Sequence, residues 1–349
     1  MEDMLGTSGS DHRRISARTG RLGALTVAGV VTGVTLVAGA PAANATQEHA
    51  RTVASAAALE SVGAHHHKHR HRWGHRVGQG VLDRNDTMYV WESPADIEAG
   101  TISADYEPAT LIGFASRHRL SSIMVATPWA LQDGVWTNTR AWLDEVVERA
   151  HEAGIEVFAL GGDNTWAAHP ELAVQWMQDL TASGIPFDGV NYDVEPWVLP
   201  EWTTDRETVK TQLVTMVEQV AAVANRPAVH IDVPWWLASE TYQGATNLAA
   251  ALFAHADGGT VITFVDHALG ADGIVALSKP ALAAAAEHGL RVPIAVEVSD
   301  DIGPEWSFSD DGSRAMRIEL AKVRFALAAD PAFDGIAVEK YVAWRHLGR

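Results

Sequence analysis

The sequence predicts an α/β fold, a closed (β/α)8 barrel of the TIM type around one large core. Eight short apolar runs recur along the chain, and segments of helical composition separate them. Strands that alternate with helices pair in parallel, and eight of each is the number that closes a barrel. An open doubly wound sheet is the alternative, but no Gly-rich phosphate loop of the dinucleotide type follows the first strand. The 349 residues accommodate one barrel of about 250 residues with a leader to spare.

In chain order, the first element is not part of the barrel. Arg13, Arg14, Arg18 and Arg21 precede an uncharged run from Leu22 to Ala40, and Ala43 to Ala45 reads "ANA", a small-x-small cleavage pattern. Residues 1–45 are expected to be a secretory signal, and the paired arginines fit the twin-arginine type. The run is long enough to span a bilayer, but its Gly, Ala and Thr content makes it weakly apolar for an anchor. Residues 46–80 are Ala-rich and then His/Arg-rich ("HHHKHRHRWGHR", His65 to Arg76) without apolar periodicity, the composition of a disordered, solvated basic spacer. Contact with an anionic cell-wall polymer, or metal binding by the histidines, are further roles open to it.

The barrel is expected over residues 81–349. Its strand runs are "TMYVWES" (87 to 93), "SSIMVATPW" (121 to 129), "IEVFALGGD" (155 to 163), "FDGVNYDVEP" (187 to 196), "AVHIDVPWW" (228 to 236), "TVITFVDH" (260 to 267), "RVPIAVEVS" (291 to 299) and "FDGIAVEKY" (333 to 341). Between them, Trp142, Val146 and Ala150 fall on one helical face within Asn138 to Gly154, with Gly154 placed to cap the end. Val209, Leu213, Met216 and Val220 do the same within Asp205 to Asn225. Only "VAWRHLGR" follows the last strand, so the eighth helix must be short or missing.

Charge and cysteine content narrow the function. The first 78 residues hold nine of the 26 Lys/Arg and five of the 44 Asp/Glu, leaving 17 basic against 39 acidic residues and a net of −22 for the rest. An acidic body argues against nucleic acid and anionic membrane as partners. With no cysteine, disulfides and thiolate chemistry are excluded. No cofactor or metal is expected in the barrel.

Catalytic groups of such barrels come from the carboxyl ends of the strands. In the fourth run Asn191, Asp193 and Glu195 are spaced i, i+2, i+4 and share one face, while Val190, Tyr192 and Val194 share the other. The apolar set can pack on helices while the polar set points into the barrel mouth. A like charge on Asp193 raises the pKa of Glu195, and a carboxylic acid that keeps its proton near neutral pH is a general acid. Other strand ends carry Glu92, Asp163, Asp232, Asp266, Glu297, and Glu339 with Tyr341. A single acid there is usually a helix cap; its recurrence suits a site. Trp91, Trp129, Trp166, Trp197, Trp235, Trp236 and Trp344 lie at or just past strand ends, whereas Trp142 and Trp176 fall on helix faces. Flat aromatic faces beside carboxyl groups suit sugar rings, so the expected partner is a carbohydrate.

"FDGVNYDVE" resembles the strand-four signature of family 18 glycoside hydrolases, the chitinases and their relatives: apolar, Asp/Asn, Gly, apolar, Asp/Asn, apolar, Asp/Asn, any, Glu. Phe187, Asp188, Gly189, Val190, Asn191, Asp193 and Glu195 fit, with Tyr192 at a usually aliphatic place. "FALGGD" (Phe158 to Asp163) is similar to the family's strand-three SxGG element, with Ala159 for serine, and Trp344 matches a tryptophan after the last strand. The resemblance implies proton donation by Glu195, with Asp193 orienting the substrate's N-acetyl group as it attacks the anomeric carbon, a substrate-assisted scheme. The strand-six tyrosine of the family is absent, Phe264 and Asp266 standing there, and Val194 replaces a common aromatic residue. Two other functions fit the layout: a retaining glycosidase using Glu195 and Glu297, and a carbohydrate-binding barrel without catalysis. A secreted metal-binding protein working through the His-rich spacer is a third.

Overall fold

The computed structural model describes residues 85–348 except residue 245. The signal and the spacer assigned to residues 1–80 lie outside the described residues. Eight parallel strands close into a barrel in chain order: β1 (Thr87–Val90), β2 (Ser122–Ala126), β3 (Glu156–Gly161), β4 (Gly189–Tyr192), β5 (Ala228–Pro234), β6 (Gly258–Ile262), β7 (Val292–Glu297) and β8 (Phe333–Glu339), with β8 paired back to β1. Each forms within one of the eight apolar runs, apart from the two glycines that open β6. The sequence did not suggest the two-residue antiparallel ladder between Thr241–Tyr242 and Thr246–Asn247 that follows β5.

Most ladders are shorter than the runs that encode them. β4 ends at Tyr192, although the run continues to Pro196. Asp193 still donates its backbone N–H to Gly161 O at 3.0 Å. Pro196 then opens a 3-10 turn, as suits a residue with no N–H to offer a ladder. Asp193 and Glu195 therefore sit on the first irregular residues above the barrel.

The helices pack outside. Helix Thr137–Glu152 buries Trp142, Val146 and Ala150, and Gly154 just past its end takes a left-handed φ of +73°. Helix Arg206–Ala221 buries Val209, Leu213, Met216 and Val220. The helix after β8 is six residues long, Tyr341–His346. Alternation along the strands splits the core in two. Val157, Ala159, Val190, Val229 and Ile231 belong to the continuous apolar layer between strands and helices. Tyr89, Met124, Phe158, Leu160, Ala295 and Ala337 are buried outside that layer, on the opposite strand faces that fill the barrel. Among the described residues, no helix is long and apolar enough to cross a membrane.

Candidate active site

The barrel interior is polar at its upper end. Register places Asn191 beside Leu160 and His230, Asp232 beside Thr260, and Glu297 beside Glu339. Asn191, Asp232, Glu297 and Glu339 are all buried, at 0%, 6%, 3% and 5% exposure, whereas Asp193 and Glu195 are partly open at the mouth. Tyr89 Oη donates to Asp232 Oδ1 at 2.7 Å, and Asn191 Nδ2 donates to Asp232 Oδ2 at 2.9 Å. Trp91 Nε1 donates to Glu339 Oε1 at 3.1 Å. The backbone N–H of Glu195 donates to Asn164 Oδ1 at 3.3 Å, tying the end of β4 to the loop after β3.

Two glycines let these strand ends approach. A Cβ on Gly161 would meet the Trp176 ring at 2.5 Å, and one on Gly162 would meet the Asp193 carbonyl oxygen at 1.9 Å. The Gly-Gly pair at the end of β3 is therefore demanded by packing on both sides of the sheet. Lower in the barrel the Phe158 and His230 rings stack at 4.3 Å, over a Gly258 whose Cβ would strike His230 at 2.6 Å.

The carboxyl groups keep protons because they are desolvated together. Burial pushes Asp193 up to about 6. Burial, then the charges of Asp193 and Asp232, push Glu195 up to about 9. Asp232 lies well above the usual carboxylate range through burial and the charge of Asp193, against the hydrogen bonds from Tyr89, Asn191 and Thr260 that favour its ionised form. Glu339 is raised by burial and by Glu297, Asp193 and Asp232. Burial raises Glu297 too, although its Oε1 accepts from the N–H groups of Val298 and Ser299, both at 2.7 Å. Against these, the Lys340 charge favours the ionised forms of Glu297 and Glu339, although Lys340 is itself bound to Asp301.

Tyr89, Trp91, Asn191, Asp193, Glu195, Asp232, Glu297 and Glu339 thus converge. Of the other strand-end residues, Glu92 is half-buried and accepts from its neighbour Ser93 N at 3.0 Å. Trp129, 38% exposed, leans on Trp166 with ring centroids 5.9 Å apart. Trp197 and Trp236 meet edge to face at 5.5 Å with Trp202 behind them, and Trp235 packs against the core.

Other residues singled out in the sequence lie elsewhere. Tyr341 is buried with its Oη donating to Asp105 O at 2.6 Å and its ring against Tyr106 and Phe114. Trp344 packs on Phe114 and His118 of helix Pro108–His118. Both serve the outer layer because the chain turns into a helix at Tyr341, which carries their side chains away from the mouth. Trp166 is 8% exposed between Trp129 and Trp176. Asp163 accepts from Thr165 N at 2.8 Å, as a turn residue does. Asp266 is bound to His267 Nδ1 at 2.7 Å. Sequence reasoning passed over Tyr89, although Thr87, Tyr89 and Trp91 alternate with Met88 and Val90 and share the inner face. Among the described residues no group of three or more His, Asp or Glu is placed to hold a metal ion.

No protein-family model and no curated protein matches the sequence. Solved structures do match the fold. The chitinase of Bacteroides thetaiotaomicron is 14% identical, with a TM-score of 0.51 over 74% of this chain and 90% of that one. The C-terminal domain of a Desulfitobacterium hafniense protein assigned to the chitinases is 15% identical, with a TM-score of 0.50 over 75% and 94%. The chain has a chitinase-like TIM-barrel fold, divergent in sequence.

Proposed function

We propose that the chain is a secreted glycoside hydrolase acting on a poly- or oligosaccharide, with Glu195 as general acid and Asp193 in support. The observation that carries the reading is the state of Glu195, a carboxyl group at the barrel mouth held protonated up to about pH 9 by burial beside Asp193. Such a group can give its proton to a glycosidic oxygen at neutral pH. Asp193, ionised above about 6, can then orient an acetamido group whose carbonyl oxygen attacks the anomeric carbon as the leaving sugar departs with the proton. Glu195, now ionised, takes a proton from the water that opens the cyclic intermediate. The strand-four and strand-three motifs and the chitinase-like fold support this substrate-assisted scheme. The retaining alternative has less support, since the charges acting on Glu195 are Asp193 and Asp232, while Glu297 is occupied by backbone amides. Export rests on the N-terminal run and its cleavage pattern.

The test is reducing-end release from soluble glycans and cell-wall polysaccharides by the protein from Thr46 onward and by its Glu195→Gln variant. Turnover that falls at least about 100-fold in the variant supports the reading. Equal glycan binding by both forms without turnover would replace it with a carbohydrate-binding barrel.

A further inference from the structure

The strand-four motif accounts for Asp193 and Glu195 but not for the buried carboxylate on the neighbouring strand β5. Asp232 comes from β5, outside every motif in the sequence. It is held on both oxygens, by Tyr89 from β1 at 2.7 Å and by Asn191 from β4 at 2.9 Å, and its register neighbour Thr260 on β6 supplies a third hydrogen bond. Asn191 lies two residues before Asp193 on the same strand face, so the group that fixes Asp232 also sits directly below Asp193. The side-chain oxygen Oδ1 of Asn191 is buried without a partner among the described residues, so the donation from Nδ2 to Asp232 orients the amide.

We infer that Asp232 is a positioning residue for the site: clamped by Tyr89, Asn191 and Thr260, it acts on Glu195 and sets where Glu195 gives up its proton. Of neighbouring carboxylates in one desolvated place, the one that ionises first holds the protons of the others on, so Asp193 acts on Asp232 and Asp232 acts on Glu195. The groups facing Asp232 are Tyr89 from β1, Asp193 and Glu195 from the end of β4, Thr260 from β6 and Glu339 from β8. Next inward on its own strand face is His230, kept neutral by burial. None of these is a cation that could take over the balance. Glu339 is in turn raised by Glu297 and lowered by Lys340, which is bound to Asp301. The inference rests on the catalytic reading for its meaning, but not for its test.

The test follows the side-chain carboxyl resonances of Asp193 and Glu195 by carbon-13 NMR against pH in the protein from Thr46 onward, assigned by loss in Asp193→Asn and Glu195→Gln. Asp232→Asn is nearly isosteric, and rotation of the Asn191 amide would let its unpartnered oxygen accept from the new amide, so the clamp can re-form. Glu195 is expected to titrate lower, by about one pH unit, since a neighbouring charge is removed, while Asp193, which ionises before Asp232, stays where it is. Tyr89→Phe, which withdraws one donor and leaves Asp232 more firmly protonated, should move Glu195 in the same direction by less. Where a turnover assay exists, the basic limb of the pH profile should move to acid alone; loss of packing lowers the rate without that shift. A folded Asp232→Asn protein in which the Glu195 resonance does not move overturns the inference, and if that variant does not fold, an unmoved Glu195 resonance in Tyr89→Phe overturns it. Because the NMR readout needs no substrate, absence of hydrolysis would refute the proposed function while leaving this result standing.

Discussion

Replacing Gly162 with alanine should damage both stability and the site, through one atom. The added Cβ would lie 1.9 Å from the Asp193 carbonyl oxygen, with the Asp193 carbonyl carbon at 2.5 Å and its nitrogen at 3.1 Å. A carbon and an oxygen in contact need more than 3 Å, so either β3 or the end of β4 must retreat by about 1 Å. The obstacle is backbone on both sides, and it is held by the Asp193 N to Gly161 O hydrogen bond at 3.0 Å. Overpacking that forces a backbone shift costs about 1–3 kcal/mol, and the upper end applies because no flexible side chain can yield. For a barrel of this size that is a fall in Tm of roughly 6–12 °C. The retreat would carry Asp193, and with it Glu195, away from Asp232 and Asn191; a displacement of about 1 Å is enough to lower turnover by about 100-fold. Thermal melts and the Glu195 carboxyl titration check the two halves separately. Gly113→Ala is the control, since its Cβ meets only the end of the Arg117 side chain at 3.4 Å inside helix Pro108–His118, and alanine there should stabilise by about 0.5–1 kcal/mol. If Gly162→Ala melts with the parent protein and keeps its turnover, the close approach of β3 to Asp193 does not position the site.

Two further outcomes concern pH. Glu195 has a folded pKa of about 9 against an ordinary 4.5, so its neutral form contributes stability that is fully present below 4.5 and is lost as pH rises through 9. Glu195→Gln should therefore gain a few kcal/mol relative to the parent between pH 4.5 and pH 9 in urea unfolding, and an unchanged difference across that range would contradict the buried state of the acid. His230 goes the other way: burial depresses it from 6.5 to about 4, so it binds a proton more readily unfolded, and its contribution is present above 6.5 and lost as pH falls toward 4. His230→Gln should lose less stability than the parent between pH 7 and pH 4.5, by on the order of 2–3 kcal/mol, measured by the same urea midpoints.

Much of the barrel was legible in the sequence because parallel strands buried on both faces write themselves as apolar runs, and each of the eight runs became a strand. The fourth run carried the most, since the i, i+2, i+4 spacing of Asn191, Asp193 and Glu195 fixes their common face without any knowledge of the rest of the chain. What local periodicity could not supply was register. The Tyr89 to Asp232 hydrogen bond joins residues 143 apart, and only barrel closure brings them together. The tryptophans show the converse: position after a strand does not say which way the chain leaves it. Trp91 stays at the mouth and bonds Glu339, while Trp344, five residues after the end of β8, is turned outward by its helix onto Phe114 and His118.

Local rules and global fold disagree most at the acids themselves. Asp193, Glu195, Asp232, Glu297 and Glu339 occupy one end of a barrel whose interior is elsewhere Tyr89, Met124, Phe158, Leu160 and alanine, and Lys340, which favours the ionised forms of Glu297 and Glu339, is itself bound to Asp301. Burying carboxylates without cations is costly unless protons take the cations' place, which the raised pKa values of all five record. A barrel shaped only for stability would fill those positions with apolar side chains. Surface recognition of a sugar needs hydroxyl partners and flat rings at the rim, which Trp129 and Trp197 can offer without any desolvated acid beneath them. A proton-holding cluster below the rim is the expense expected where protons are moved, which is what the proposed catalytic reading requires and binding alone does not.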